Sequence, residues 1–139
     1  MQNKDLGQRI SILHSEENKG CIEIPHSVAN VALKIERNGK AMCYLPDFSS
    51  ITDEMTSFCS NVDLVIASVA GPNEKKGEMS EFGFCVSGEA IDLCNKANVR
   101  NFLPFHVFFE SDIELVYSEL KQSTRNTKIL ASDVKEYVI

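Results

Sequence analysis

The chain has 139 residues, of which 43% are hydrophobic and 24% charged, a composition typical of one folded domain spanning residues 1–139. Its formal net charge of −6 excludes a global positive field of the kind that attracts nucleic acid. No apolar run is long enough to cross a bilayer and the N-terminal sequence has no signal-peptide pattern, so we expect a cytoplasmic protein without membrane contact.

Short apolar or alternating runs predict four strands in the first third of the chain, over residues 8–13, 21–24, 28–35 and 41–45. Asn38-Gly39 separates the last two strands and favours a two-residue hairpin turn, because both turn positions take positive φ. A tight hairpin returns the chain to the end from which it started. His26 and Asp47, which flank this hairpin, are therefore expected at one edge of the sheet.

The middle of the chain predicts one helix, one strand and one loop. Ser50 begins the sequence S-I-T-D, a start similar to a capping box, for a helix that continues to about Ser60 and is ended by Asn61. Residues 63–67, DLVIA, contain a continuous apolar run, as in a strand that is buried on both faces. Residues 71–83 are rich in glycine and charge, which predicts a surface loop.

The last part of the chain predicts helices over residues 87–97 and 111–121, and strands over residues 99–105, 128–131 and 137–139. Ser87 is expected to cap the first helix and Asn98 to end it. The sequence S-D-I-E from Ser111 predicts a capping box for the second helix. The alternation of strands and helices indicates an α/β fold.

The number of cysteines is odd, and no pair has the C-x-x-C spacing. The five are Cys21, Cys43, Cys59, Cys85 and Cys94. This argues against a disulfide framework and against a zinc site made of thiolates. Cys43, Cys59 and Cys94 lie in apolar patterns and are interpreted as small core residues.

Three predicted strand ends carry side chains that can bind a metal. His26 follows the strand 21–24, Asp47 follows the strand 41–45, and His106 follows the strand 99–105. Two imidazoles and a carboxylate can hold zinc, manganese or iron. Each residue alone is more often a simple turn residue, so the hypothesis of a metal site depends on the three together.

The order of these parts resembles the C-terminal half of the metallo-β-lactamase fold, in the branch of tRNA 3′-processing endonucleases and related phosphodiesterases. The motifs that carry the resemblance are HSVANVALKI from His26, GKAMCYLPD from Gly39, DLVIA from Asp63, SGEAIDLC from Ser87, FLPFH up to His106 and KILASDV from Lys128. They cover most of the chain from about Cys21. The resemblance implies an α/β fold that is half of an αββα sandwich, a mixed sheet with helices on one face.

The same resemblance implies roles for the three residues. His26 would be the third histidine of the first metal site, Asp47 the carboxylate that bridges two metals, and His106 the last ligand of the second site. Members of this family hydrolyse phosphodiesters, thioesters or lactams with a metal-activated water. Asp47 is accordingly the predicted catalytic residue, and zinc, or else manganese or iron, is the expected metal.

The sequence departs from the family because it lacks the motif H-x-H-x-D-H, so only three of the usual seven ligands are present. A dinuclear site therefore requires another chain to complete it. Cys85 stands where this branch has a proton-transferring histidine; it is interpreted as a packed thiol rather than as a soft ligand or weak acid. Half a sandwich also leaves one sheet face apolar and uncovered. We therefore expect a homo-oligomer, or a complementing chain that covers this face.

These observations leave more than one function open. The first hypothesis is a metal-dependent, phosphodiesterase-like hydrolase, or part of one, with Ser27 or Asn30 near the substrate. The alternative is a non-catalytic binding or assembly protein of the same fold. A mononuclear metal site and a piece of a longer hydrolase are further interpretations. A nucleic acid or nucleotide ligand is implied only by the resemblance.

Overall fold

The computed structural model describes residues 20–131, which form one mixed β-sheet and four α-helices. The strands are β1 (Cys21–Glu23), β2 (Val31–Arg37), β3 (Lys40–Leu45), β4 (Leu64–Ser68), β5 (Asn101–Phe105) and β6 (Lys128–Ile129). They lie side by side in chain order. The pairs β1–β2 and β2–β3 are antiparallel, and β3 to β6 are parallel. The predicted strands over residues 8–13 and 137–139 lie outside the described residues.

The helices are α1 (Asp53–Phe58), α2 (Lys76–Glu81), α3 (Ser87–Ala97) and α4 (Ile113–Ser123). Short 3-10 turns, Asn73–Lys75 and Glu110–Asp112, precede α2 and α4. Helices connect the parallel strands, as such connections require, because the chain must return to the same end of the sheet. No helix within residues 20–131 is long and apolar enough to cross a membrane.

The predicted hairpin is present. Asn38 and Gly39 form the turn with φ values of 51° and 75°, and Arg37 pairs with Lys40 across it. Positive φ at both positions matches the right-handed twist of the two strands that they connect. β2 begins at Val31, three residues later than predicted, because the chain bends at residues 26–28 before it enters the sheet.

Helix α1 begins later than its predicted start. The hydroxyl of Thr52, not that of Ser50, caps it by accepting a hydrogen bond from the Met55 N–H at 3.1 Å. Asp53 then lies in the first turn, where a carboxylate favours the positive end of the helix dipole. The helix also ends earlier than predicted, at Phe58 with Cys59 as its C-cap, and Asn61 lies in the turn that follows, with a φ of 56°.

Helix α3 ends at the predicted residue, but its start differs slightly from the prediction. Ser87 is the first helical residue rather than the cap, and the preceding N–H of Val86 donates to the Glu89 carboxylate at 3.1 Å. Asn98 ends the helix in the left-handed conformation with a φ of 52°. The capping box predicted at Ser111 is wrong, because this residue lies inside a 3-10 turn.

The segment predicted as a surface loop, residues 71–83, contains helix α2. Met79 is the single buried residue of this helix. It packs with Ala70 and Val86 in a small cluster beside the main core. One apolar anchor gives no repeating pattern in the sequence, so the signal on which helix prediction depends is missing here.

The main core lies between the sheet and helices α1, α3 and α4. Its strand residues include Ala32, Cys43, Leu45, Val65, Ala67 and Phe102, and its helix residues include Met55, Phe58, Leu93, Cys94, Val116 and Leu120. Cys59 and Cys85 belong to the same cluster. The interpretation of Cys43, Cys59 and Cys94 as core residues is therefore confirmed.

The alternate residues of the same strands point away from these helices. We call them the open face, which consists of Val31, Leu33, Ile35, Met42, Tyr44, Ile66, Leu103 and Phe105. None belongs to the helix-covered core, and Val31 and Tyr44 are each 36% exposed. Among residues 20–131 the sheet thus carries helices on one face, as predicted, and a partly exposed apolar surface on the other.

Candidate functional site

Three neighbouring parallel strands end at the same edge of the sheet, and each end carries a polar side chain. Asp47 follows β3, Ser68 is the last residue of β4, and His106 follows β5. The carboxyl ends of parallel strands are where α/β proteins usually bind ligands. The Ser68 hydroxyl donates to Asp47 Oδ1 at 2.8 Å, and His106 Nδ1 lies 2.9 Å from the same oxygen. The structure therefore brings Asp47 and His106 together.

His26 lies at the same edge, after β1, but has different partners. Its Nδ1 lies 2.6 Å from the carbonyl oxygen of Gly83. The Phe84 ring contacts both imidazoles, with centroid distances of 5.4 Å to His26 and 5.9 Å to His106. His26 is thus linked to the Asp47–His106 pair through a phenyl ring rather than by direct contact.

The side chains of His26, Asp47 and His106 are of the types that bind metal ions, but too few of them converge to form a metal site. Carboxylate oxygen and imidazole nitrogen are ligands that zinc, manganese and iron accept. Both histidines use Nδ1 for the contacts above, so Nε2 is the remaining ring nitrogen for a ligand bond. Within residues 20–131, no group of three or more histidine, cysteine or acidic side chains is placed to hold a metal ion. A complete site requires further donors.

Sequence reasoning missed Ser68. The side chain is only 1% exposed, and its hydroxyl also lies 3.5 Å from His106 Nδ1, so it joins the acidic and the basic member of the pair. The predicted strand ended one residue earlier, at Ala67. A polar residue directly after a run of apolar residues, between two strands with polar ends, is the signal that could have identified it.

The backbone of His106 is in an uncommon conformation. Its φ of 64° lies in the left-handed region, where the other non-glycine residues of the described chain are Asn38, Asn61 and Asn98. Asparagine, aspartate and histidine enter this region more often than other side-chain-bearing residues, and the three asparagines do so at a turn or after a helix, whereas His106 follows a strand. Conformations of this kind cost about 1–3 kcal/mol and cluster at functional sites.

Cys85 is a packed thiol. Its Sγ donates to the Ser68 carbonyl oxygen at 3.1 Å, and the residue is buried. Burial raises the pKa of the Cys85 thiol well above its usual range, and the nearby Glu89 carboxylate raises it further. A buried, protonated thiol is a poor metal ligand at neutral pH, because the ligand form is the thiolate.

The two residues that we expected near a substrate have different environments. Asn30 is engaged with the main chain: its Nδ2 donates to the Asp47 carbonyl oxygen at 2.5 Å, and its Oδ1 accepts from the Val31 N–H at 3.0 Å. These bonds hold the strand end that carries Asp47. Ser27 is exposed beside His26.

Comparison with known proteins places these residues in a family context. The family model described as "Beta-lactamase superfamily domain" matches residues 3–107. Among solved structures, the metallo-β-lactamase fold protein YhfI from Bacillus subtilis aligns with a TM-score of 0.71 at 19% identity, covering 91% of this chain and 50% of its own. No curated protein matches the sequence.

Two solved structures of RNase Z proteins have a similar fold. The short form of human tRNase Z aligns with a TM-score of 0.59 at 16% identity, covering 63% of this chain and 34% of its own. The long form of RNase Z from yeast aligns with a TM-score of 0.57 at 20% identity, covering 63% of this chain and 13% of its own. At these identities the likeness establishes the fold alone, which is the one predicted. The chain spans half the length of the Bacillus protein and smaller shares of the other two.

Proposed function

Because the chain belongs to the beta-lactamase superfamily, we propose that it supplies one half of a metal-dependent hydrolase site. Asp47 and His106 would be two ligands and His26 a third, with the remaining ligands from another polypeptide. The observation that carries this proposal is the contact of 2.9 Å between Asp47 Oδ1 and His106 Nδ1 at the carboxyl edge of the parallel strands. A phosphodiester substrate is supported by the structural likeness to the RNase Z proteins.

A bound zinc, manganese or iron ion would polarise a phosphoryl oxygen and acidify a water molecule. The residues of this chain would hold and orient such an ion. The Ser68 hydroxyl and His106 both contact Oδ1 of Asp47, which leaves Oδ2 as the second carboxylate oxygen for a ligand. Ser68 would thereby fix the direction in which Asp47 presents its carboxylate.

The open face supports the proposal that a second polypeptide completes the site. A contiguous, partly exposed apolar surface often marks an interface. Its members Tyr44 and Phe105, stacked at a centroid distance of 5.8 Å, lie at or next to the strand ends that carry Asp47 and His106. A chain covering this face, either a second copy or a complementing half, would reach the same edge.

The test is the metal content of the purified chain after incubation with zinc or manganese, compared with Asp47→Ala, His106→Ala and Asp92→Ala. Asp92 is an exposed acidic residue of helix α3 and serves as the control. We expect metal bound by the wild type and by the Asp92 variant, and lost in the other two. Equal metal content in all four proteins would contradict the proposal, because Asp47 and His106 would then not be the residues that hold a metal.

A non-catalytic binding or assembly role is the second candidate. It is favoured by the finding that no three metal-binding side chains converge within residues 20–131. This candidate predicts a folded chain that takes up no metal, with or without a partner over the open face. The same metal measurement therefore separates the two functions.

A further inference from the structure

Three consecutive residues between α2 and α3, Gly83, Phe84 and Cys85, contact the candidate site at three places. The Gly83 carbonyl oxygen meets His26 Nδ1, and the Phe84 ring touches both imidazoles. The Cys85 thiol donates to the Ser68 carbonyl oxygen. Because Ser68 in turn donates to Asp47, this one tripeptide is connected to each predicted ligand.

Only glycine fits at the first of these positions. Gly83 has a φ of 83°, a conformation that side-chain-bearing residues rarely adopt. A Cβ atom there would lie 2.9 Å from His26 Nδ1 and 2.9 Å from the Ser27 backbone nitrogen. The missing side chain is therefore what allows the Gly83 carbonyl to approach the imidazole.

The contact between Gly83 and His26 determines where the imidazole proton lies. A carbonyl oxygen can only accept a hydrogen bond, so Nδ1 of His26 must carry the proton. In the neutral ring, Nε2 then holds the free lone pair. Histidines that bind metals commonly donate their other N–H to a backbone carbonyl in this way, which fixes both tautomer and orientation.

We propose that Gly83, Phe84 and Cys85 form the positioning segment of this site, and that the Gly83 carbonyl selects the His26 tautomer whose Nε2 binds a divalent cation. The cation-binding part rests on the proposed function, whereas the tautomer does not. The aromatic contacts of Phe84 fix the planes of both imidazoles, and Cys85 anchors the strand end that carries Ser68. This segment positions the ligands and takes no part in proton transfer.

The first experiment measures the His26 tautomer directly, by nitrogen-15 NMR of the metal-free full chain at alkaline pH, where imidazoles are neutral. We expect the proton of wild-type His26 on Nδ1. In Gly83→Ala the carbonyl is displaced, and a mixture of both tautomers is expected. Gly77→Ala is the matched control, because a Cβ at Gly77 meets no atom within 4 Å. A wild-type His26 with its proton on Nε2, or in a mixture, would overturn the proposal.

The second experiment measures zinc affinity of the same three proteins by calorimetry. Loss of an outer hydrogen bond to a ligand histidine typically weakens metal binding about 10–100-fold, and we expect this for Gly83→Ala but not for Gly77→Ala. Equal affinity of all three would overturn the positioning role. If wild-type His26 has the expected tautomer but the chain binds no zinc, the proposed function and the role of His26 as a ligand are wrong. The hydrogen bond between His26 and the Gly83 carbonyl is then still confirmed. If Gly83→Ala does not fold, the proposal is tested by the tautomer of wild-type His26 and by the zinc affinity of a Phe84→Leu variant. Unchanged zinc affinity in Phe84→Leu would overturn the positioning role of the segment.

Discussion

Asp63 makes hydrogen bonds and ion pairs with residues at the amino ends of three neighbouring strands, at the edge of the sheet opposite to the candidate site. Its Oδ2 accepts the Ala41 N–H at 2.9 Å, and its Oδ1 lies 3.2 Å from Arg100 Nη1 and 3.7 Å from Lys40 Nζ. Its carbonyl oxygen accepts from Asn101 Nδ2 at 2.8 Å. The carboxylate and the carbonyl group of Asp63 thus connect β3 and the start of β5 to the start of β4.

The hydrogen bond from the Ala41 N–H lowers the pKa of Asp63, and the Lys40 and Arg100 charges lower it further. A carboxyl with a lowered native pKa stabilises the fold above its unfolded pKa of about 3.9. This contribution is lost as the pH falls through the lowered native value. We therefore expect the difference in free energy of unfolding between wild type and Asp63→Asn, measured by urea titration, to shrink below about pH 4. A difference that stays constant down to acid pH would contradict this role.

The cysteines should differ sharply in reactivity. Burial raises the pKa of Cys94 to about 12, and the pKa of Cys59 is raised mainly by its hydrogen bond with Cys43 and then by burial. Cys85 is buried as well, while Cys21 is partly exposed. Because the thiolate is the reactive form, iodoacetamide at neutral pH should modify Cys21 in the native protein and all five cysteines after unfolding. Mass spectrometry of the labelled peptides checks this, and rapid native labelling of Cys85 would contradict the packing described above.

Among the helices, the start of α1 shows how a single atom decides where an element begins. Ser50 and Thr52 both precede it, and only Thr52 accepts a hydrogen bond from the helix. The local sequence offers both as caps. Which of them becomes the cap depends on the path of the chain after Asp47, and the sequence around the helix does not predict that path.

This choice gives a matched pair of variants. Thr52→Ala should lower the free energy of unfolding by about 1 kcal/mol, the usual cost of losing a helix cap. Ser50→Ala, at an exposed position two residues away, should change it by less than about 0.5 kcal/mol. Thermal or urea unfolding of both variants checks the pair. If both variants lost the same free energy of unfolding, or Ser50→Ala lost more, the assignment of Thr52 as the cap would be wrong.

The elements that the sequence predicted have local causes. The Asn38-Gly39 turn is fixed by the conformations of two adjacent residues, and the buried strands by continuous apolar runs. Helix α2 has one buried residue and no periodic pattern, so it could not be predicted. The closeness of Asp47 and His106 follows from strand order, because both leave parallel strands at one edge. The contact between Gly83 and His26 joins residues 57 positions apart and has no local signal at all.

Taken as a whole, the molecule has two unlike sides. The helices cover one face of the sheet, and the open face remains apolar in the part of the chain that the structure describes. Adjacent residues of β3 show the contrast, since Cys43 is fully buried in the core and Tyr44 is 36% exposed on the open face. A surface of this kind in water favours association.

We expect the purified chain to associate in a concentration-dependent manner through the open face. Tyr44→Lys should weaken this association, because a charge there opposes burial, while changing the free energy of unfolding by no more than about 1 kcal/mol. Cys43→Lys, one residue earlier, would place the charge in the core and should unfold the protein. Sedimentation velocity and urea titration measure the two effects. Unchanged association of Tyr44→Lys would show that another surface is responsible.

The side-by-side order of the strands has a consequence for the way in which the chain folds. Among the strands of residues 20–131, each pairs with the one that precedes it in the sequence, and none is inserted between two earlier strands. The β2–β3 hairpin, closed by two residues, can form first and then serve as a template for β4, β5 and β6 in turn. No pair has to open to admit a later strand. The ribosome therefore delivers β2 to β6 in the same order in which this part of the sheet can grow.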